Sequence, residues 1–151
     1  LYPGNEVRLM NAYFVTCTGY ETDANGNVTV VHCTYDPASR GGNSPDGRKV
    51  KGTIHWVSAQ ENVKAEVRLY ENIIDEEKGV YNEDGSLNLN PNSLTVKKDC
   101  YLERNLKDVK AYDSFQFVRN GFFCVDAKDS REDALVFNRI VSLKSSFKLP
   151  K

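Results

Sequence analysis

Asp46-Gly47-Arg48-Lys49-Val50-Lys51-Gly52-Thr53-Ile54-His55-Trp56-Val57-Ser58-Ala59 reads as a basic turn feeding a short strand. Its branched and aromatic residues predict a strand over 50–57. Just upstream, the segment 37–47 holds two prolines, three glycines, Ser39, Asn43 and Ser44, and is a loop by composition. Further upstream a long strand is expected over 7–20. It is followed by Asn25-Gly26, a two-residue type I′ hairpin signal, and by a returning strand over 28–35. Downstream, Val67 and Leu69 alternate with Glu66 and Arg68, the pattern of a half-buried strand over 65–70. The stretch 71–93 loses that pattern and is expected to be a long excursion with room for a helical turn or two. Strands are expected again over 94–102 and 136–143, and a short helix over 105–111. A second hairpin, 115–118 with 122–125, is expected around Asn120-Gly121. No window carries a long amphipathic helical stripe, so the reading is an all-β chain built as barrels or sandwiches.

The chain has 151 residues, enough for one domain or two small ones. Apolar residues make up 40% and charged residues 27%, which excludes wholesale disorder. No apolar run approaches the roughly 20 residues needed to span a bilayer, and no charged-then-apolar leader opens the sequence. A soluble cytoplasmic protein without membrane partners is expected. Cys17, Cys33, Cys100 and Cys124 form no CxxC pair, so neither a zinc site nor a disulfide framework is expected, and free buried thiols are. A two-residue turn at Asn25-Gly26 would place Cys33 opposite Thr18 and not Cys17. The net charge is −1, but it is segregated. Four basic residues face one acid over 40–51 and five face three over 97–110, whereas six acids face one lysine over 71–84. Such segregation permits one face to meet phosphate while another repels it, although solvated faces do the same.

His32 and His55 sit in no motif that supplies a nucleophile, an acid-base partner or a metal. The glycines at 41, 42 and 47 lack the P-loop pattern. Binding is better provided for. Arg8 lies between Val7 and Leu9, so strand parity directs its guanidinium away from them, either to a ligand or to an exposed salt bridge. Gln116 and Arg119 lie just before the second hairpin turn, where an amide and a guanidinium together complement the edge of an unpaired pyrimidine; a turn cap and a solvated arginine are the structural alternative. Arg48 to Lys51 are able to touch a phosphate backbone, though such turns are most often only solvated. Trp56 is expected to pack in a core in preference to stacking on a base, and Tyr13, Tyr20, Tyr35 and Phe122 to be core as well.

Eight blocks in order carry a resemblance: Glu6-Val7-Arg8-Leu9, Asn11-Ala12-Tyr13, Cys33-Thr34-Tyr35-Asp36, the 46–59 stretch, Arg68-Leu69-Tyr70, Phe115-Gln116-Phe117, Gly121-Phe122-Phe123-Cys124 and Val136-Phe137-Asn138-Arg139. Together they span nearly the whole chain. They resemble the C-terminal anticodon-binding region of the glutaminyl-tRNA synthetases, in the Glu/Gln subfamily of class I. The resemblance implies two linked antiparallel β-barrels of the ribosomal-protein-L25-like type with chain passing between them, all of 1–151 serving as anticodon-binding region with no internal boundary assigned. It implies binding of the anticodon loop of tRNA(Gln), with Arg8 at the first anticodon nucleotide and Gln116 and Arg119 at the middle one. No catalytic residue, metal or cofactor is expected in these residues. ATP and Mg would belong to a catalytic domain of the same polypeptide upstream of Leu1, where further anticodon contacts would also lie. Met10 departs from the pattern, since the family commonly has a second arginine there and a thioether cannot donate to a base. An archaeal or eukaryotic glutamyl-tRNA synthetase, or a general RNA- or protein-binding barrel, is the alternative.

Overall fold

The computed structural model describes residues 1–75 and 77–143. They form β strands joined by turns, with helix limited to two short 3-10 segments among the described residues. The chain divides into two compact units, Leu1–Trp56 and Val57–Lys151, each with its own sheet. The all-β reading therefore holds, but the sheets are mixed: each contains one parallel pair, β1 with β4 and β5 with β9.

In the first unit, β1 (Glu6–Leu9), β2 (Phe14–Thr22), β3 (Val28–Asp36) and β4 (Thr53–Ile54) lie in the order β3-β2-β1-β4. The single strand expected over 7–20 is thus two antiparallel strands. Asn11 takes φ 57, and the reversal is closed by Ala12 N–H to the Leu9 carbonyl at 3.0 Å and Leu9 N–H to the Tyr13 carbonyl at 2.9 Å. Asparagine is among the few residues that enter this left-handed region readily. The strand expected over 50–57 shrinks to two residues beside β1. Trp56 then donates its indole N–H to the Met10 carbonyl at 3.0 Å and stays 43% exposed, so it closes over the edge of the unit and is not a core residue. Tyr20, Tyr35 and, in the other unit, Phe122 are also exposed. Tyr13 is half-buried and meets Tyr35 edge to face at 5.2 Å.

The hairpin joining β2 to β3 corrects a register. Gly26, at φ 82, donates to the Asp23 carbonyl at 3.0 Å, and Asp23 N–H bonds the Asn27 carbonyl at 2.9 Å. The loop is three residues long, not two. With irregularities at Cys17/Gly19 and Glu21/Thr22, it sets Cys33 opposite Cys17 and not Thr18. All four cysteines are free thiols, but only Cys17 is fully buried.

The connection from β3 to β4 packs back onto the sheet. The 3-10 turn Pro37–Ser39 buries Ser39, whose Oγ accepts the Phe14 N–H at 2.8 Å and donates to the Asp36 carbonyl at 2.7 Å. Arg48 ties down the far end. Its guanidinium bonds Glu6 through two nitrogens at 3.0 Å each, Asp36 at 2.5 Å and Asp46 at 2.6 Å. One cation thereby joins β1, the end of β3 and the loop. The Arg48 side chain holds the Asp36 carboxyl below the usual aspartate range, with help from the Ala38 N–H. Asp46 is pulled down to about 2, first by the Ser44 hydroxyl and then by the backbone and side chain of Arg48.

In the second unit, β5 (Asn62–Tyr70), β6 (Leu94–Glu103), β7 (Ser114–Phe117), β8 (Gly121–Val125) and β9 (Leu135–Val141) lie in the order β6-β5-β9-β8-β7. Ala65 and Val67 face a core with Leu106, Phe123, Val125, Leu135 and Phe137. Phe117 stacks on Phe123 at 4.5 Å and meets Phe137 at 5.4 Å. Each buried ring contributes on the order of 2 kcal/mol by removal from water. The short helix expected over 105–111 is only the 3-10 turn Arg104–Leu106, and the described part of the 71–93 excursion has no helix. That excursion folds on itself through bridges of Ile74 with Leu89 and Tyr81 with Leu87.

Two outcomes follow for the first unit. Ser39→Ala leaves the buried Phe14 N–H without an acceptor and lowers unfolding free energy by about 2 kcal/mol, read by urea denaturation; an unchanged midpoint would mean the hydroxyl is dispensable. The depressed Asp36 and Asp46 carboxyls stabilise the folded state fully above about pH 4, near their unfolded pKa. That stabilisation is lost as pH falls below there, through the lowered folded value of Asp36 and, for Asp46, toward about 2. Thermal midpoints across this window will show the loss. Arg48→Met will flatten the Asp36 part more than the Asp46 part, because Ser44 still holds the latter.

Candidate nucleic-acid interface

Arg8 stands at the centre of the first sheet, opposite Phe14 on β2 and Thr53 on β4, with its N–H bonded to the Gly52 carbonyl at 3.1 Å. Alternation directs Val7 into the core, 6% exposed, and Arg8 to the other face. That face is not open. The Phe14 ring is fully buried there, and the guanidinium carbons of Arg8 and Arg48 each lie 5.1 Å from its centroid. Gly42, at φ 81, covers the stem of Arg8 so closely that a methyl group at 42 would come within 3.0 Å of Arg8 Cδ. The arginine is held in place by packing.

Its charge is not matched by the same packing. Arg48 is surrounded by three carboxylates, whereas Arg8 has no carboxylate partner among the described residues. Arg8 Nε is buried and makes no hydrogen bond. A buried donor without an acceptor costs about 1–3 kcal/mol, so Arg8 is a half-buried guanidinium whose charge and buried Nε are left unmatched by the described residues around it. The salt-bridge alternative for Arg8 is therefore set aside. The basic turn behaves otherwise: Arg48 is a structural tie, and only Lys49 and Lys51 of that run point their charge into solvent.

Gln116 and Arg119 lie in the second unit on the β7–β8 hairpin. The turn is one residue earlier than expected. Phe117 pairs with Gly121, Asn120 N–H bonds the Phe117 carbonyl at 2.8 Å, and Arg119 takes φ 68. Gly121 is needed inside the strand, since its φ is 144 and a methyl group there would meet the Val141 carbonyl at 2.7 Å. Phe115 and Phe117 turn to the core, which leaves Gln116 between them on the exposed side with no hydrogen bond to its amide among the described residues. Arg119 is an exposed, non-glycine residue in the left-handed region, a conformation that costs about 1 kcal/mol or more. Gln116 and Arg119 thus share one hairpin, and Arg8 belongs to the other unit.

His32 is a surface residue whose Nε2 lies 2.7 Å from Glu21 Oε1, and His55 is half-buried. What the sequence did not disclose is the set that positions Arg8: Phe14, Gly42, Glu6 and Asp36 reach it or Arg48 across as many as 42 residues of chain. The Gly41-Gly42 pair was the only local trace, and it reads equally well as a plain loop.

Two family profiles match, both described as tRNA synthetases class I (E and Q), anti-codon binding domain. One covers residues 1–36 and the other 53–126, together well over half of the chain. Among curated proteins, the chain is 54% identical to a glutamine–tRNA ligase of Clostridium kluyveri and 52% identical to one of Clostridium perfringens. In these two pairs the match takes in 100% and 99% of this chain and 27% of each ligase. A glutamine–tRNA ligase of Haemophilus influenzae is 49% identical over 95% of this chain and 26% of its own length. The chain therefore spans about a quarter of the length of the relatives it matches. Arg8 falls in the first matched segment and Gln116 and Arg119 in the second, and with these two matches the chain belongs to the anticodon-binding domains of the class I Glu/Gln tRNA synthetases.

Proposed function

We propose that this chain is the anticodon-binding region of a glutamine–tRNA ligase, and that it holds the anticodon loop of tRNA(Gln) while a catalytic domain elsewhere in the same polypeptide joins glutamine to the tRNA at the expense of ATP, with Mg. The whole of 1–151 serves this role, in the cytoplasm. Arg8 meets the first anticodon nucleotide, and Gln116 and Arg119 meet the middle one. The observation that carries the reading is Arg8: a guanidinium fixed by Phe14 and Gly42, with no carboxylate and no acceptor for its buried Nε among the described residues.

The chemistry is recognition of single-stranded RNA. Unstacked bases offer their edges and carbonyls, and arginine both donates in a planar fork and stacks on base faces. In the second unit a free amide can donate and accept while the guanidinium three residues on donates, which complements a uracil edge. The relatives named glutamine–tRNA ligase support glutamine over glutamate as the amino acid. ATP and Mg act in the remainder of such a ligase, and no step of the acylation is assigned to these residues.

Arg8→Met keeps the stem over Phe14 and removes the buried Nε. Stability is expected to hold or rise by up to about 1 kcal/mol, while affinity for the anticodon stem-loop falls at least tenfold; retained affinity in filter binding would remove Arg8 from the site. At the β7–β8 turn, Arg119→Gly relieves the left-handed backbone. It is expected to raise the melting temperature slightly and yet abolish discrimination at the middle anticodon base, by roughly 1–3 kcal/mol per unpaired contact. Middle-base discrimination equal to that of the parent, in a full-length ligase carrying this change, would overturn the assignment of Arg119.

A further inference from the structure

Cys17 and Cys33 are direct cross-strand partners in the β2–β3 hairpin. Their backbone hydrogen bonding decides how close they stand. Cys17 donates its N–H to the Asn5 carbonyl at 3.1 Å and accepts at its own carbonyl from Gly4 N–H at 2.9 Å. Both of its main-chain groups are therefore engaged on the β1 side. Toward β3 it occupies a non-hydrogen-bonded site, where facing Cα atoms are about 4.5 Å apart and side chains approach most closely. This spacing falls at the near end of the roughly 4.4–6.8 Å range that a disulfide bridges.

We infer that Cys17 and Cys33 form an oxidisable dithiol, which hydrogen peroxide converts into an intrachain disulfide joining β2 to the edge strand β3. Access sets the order of events. Cys33 is exposed on the edge strand and Cys17 is 2% exposed, so the oxidant meets Cys33 first. The Cys33 thiolate attacks one peroxide oxygen and the O–O bond breaks. The sulfur becomes a sulfenic acid, and the other oxygen leaves as water after taking a proton. The Cys17 sulfur then attacks the Cys33 sulfur and displaces hydroxide, which leaves as water with the proton from Cys17. Each sulfur has lost one electron and the peroxide has gained two.

The surroundings support the pairing. Desolvation pushes the Cys33 thiol above its usual range, and the charge and hydrogen bond of Cys17 push it further in the same direction, as expected for thiols in contact. The Cys17 thiol also donates to the Gly19 carbonyl at 3.5 Å, beside the irregularity that follows it. A thiol that keeps its proton reacts slowly, so the dithiol resists brief exposure at neutral pH and closes on prolonged contact. The other two cysteines serve as internal controls. Cys100 faces Ala65, and Cys124 faces Ser114 and Asn138, so neither has a cysteine opposite it.

The test is prolonged exposure of the folded protein to hydrogen peroxide, followed by thiol counting and peptide mapping. The expected result is loss of two of the four thiols, a peptide linking Cys17 to Cys33, and full recovery with dithiothreitol. In Cys17→Ala, Cys33 is expected to stop at the sulfenic acid and to be captured by dimedone. Cys33→Ser, a change at an exposed position that keeps the fold, should retain its three remaining thiols. Four intact thiols under conditions that oxidise glutathione would overturn the inference. So would further oxidation of Cys33 without a bridge, or a bridge from Cys33 to another copy of the chain.

Discussion

Phe14 is buried against two guanidinium groups, and among the described residues only one of them is neutralised. The ring fills the face of the first sheet that alternation assigns to Arg8, and cation–π attraction of about 1 kcal/mol or more holds each arginine to it. Arg48 answers to Glu6, Asp36 and Asp46, so its charge is spent on closing the loop over β1 and β2. Arg8 has no such answer among the described residues. The same packing that orders the first unit therefore leaves a positioned cation with an unmet donor, which is a stable fold carrying a local deficit. A ligand that supplied an acceptor there would recover the energy the fold forgoes.

A similar tension is present in the second unit. Three phenylalanine rings, Phe117, Phe123 and Phe137, bind β7, β8 and β9 into one core, and this packing fixes the hairpin between β7 and β8. The turn then holds Arg119 in a conformation suited to glycine, while Gly121 is required where the Val141 backbone comes close. Core burial is worth several kilocalories per mole and overrides the smaller cost of one left-handed arginine.

Much of the fold was legible in particular residues. The alternation of Val67 and Leu69 with Glu66 and Arg68 located β5, and Asn25-Gly26 and Asn120-Gly121 located two hairpins to within a residue. The errors arose where a single residue changes the count. Asn11 reverses the chain without glycine or proline, so two strands read as one. A three-residue loop at Ala24, Asn25 and Gly26, with two strand irregularities, moved Cys33 from Thr18 to Cys17. Trp56, Tyr20 and Tyr35 read as core because they are large and apolar, yet they lie at edges that the described residues of the first unit do not cover. Of the candidate residues, Arg8 was singled out by strand parity and Gln116 and Arg119 by their place before a turn, and the resemblance gave all three their roles, but none of the packing around them was visible.

The sequence by itself determined the class of fold, the family and the alternation that separates Arg8 from Val7 and Gln116 from Phe115 and Phe117. These properties are local: a strand has a period of two, and a turn needs a residue that tolerates it. Only the tertiary structure decided that β5 lies between β6 and β9, that Arg48 is neutralised and Arg8 is not, and that Cys17 faces Cys33. Those outcomes depend on contacts between residues far apart in the chain and on register, which a single inserted residue reverses.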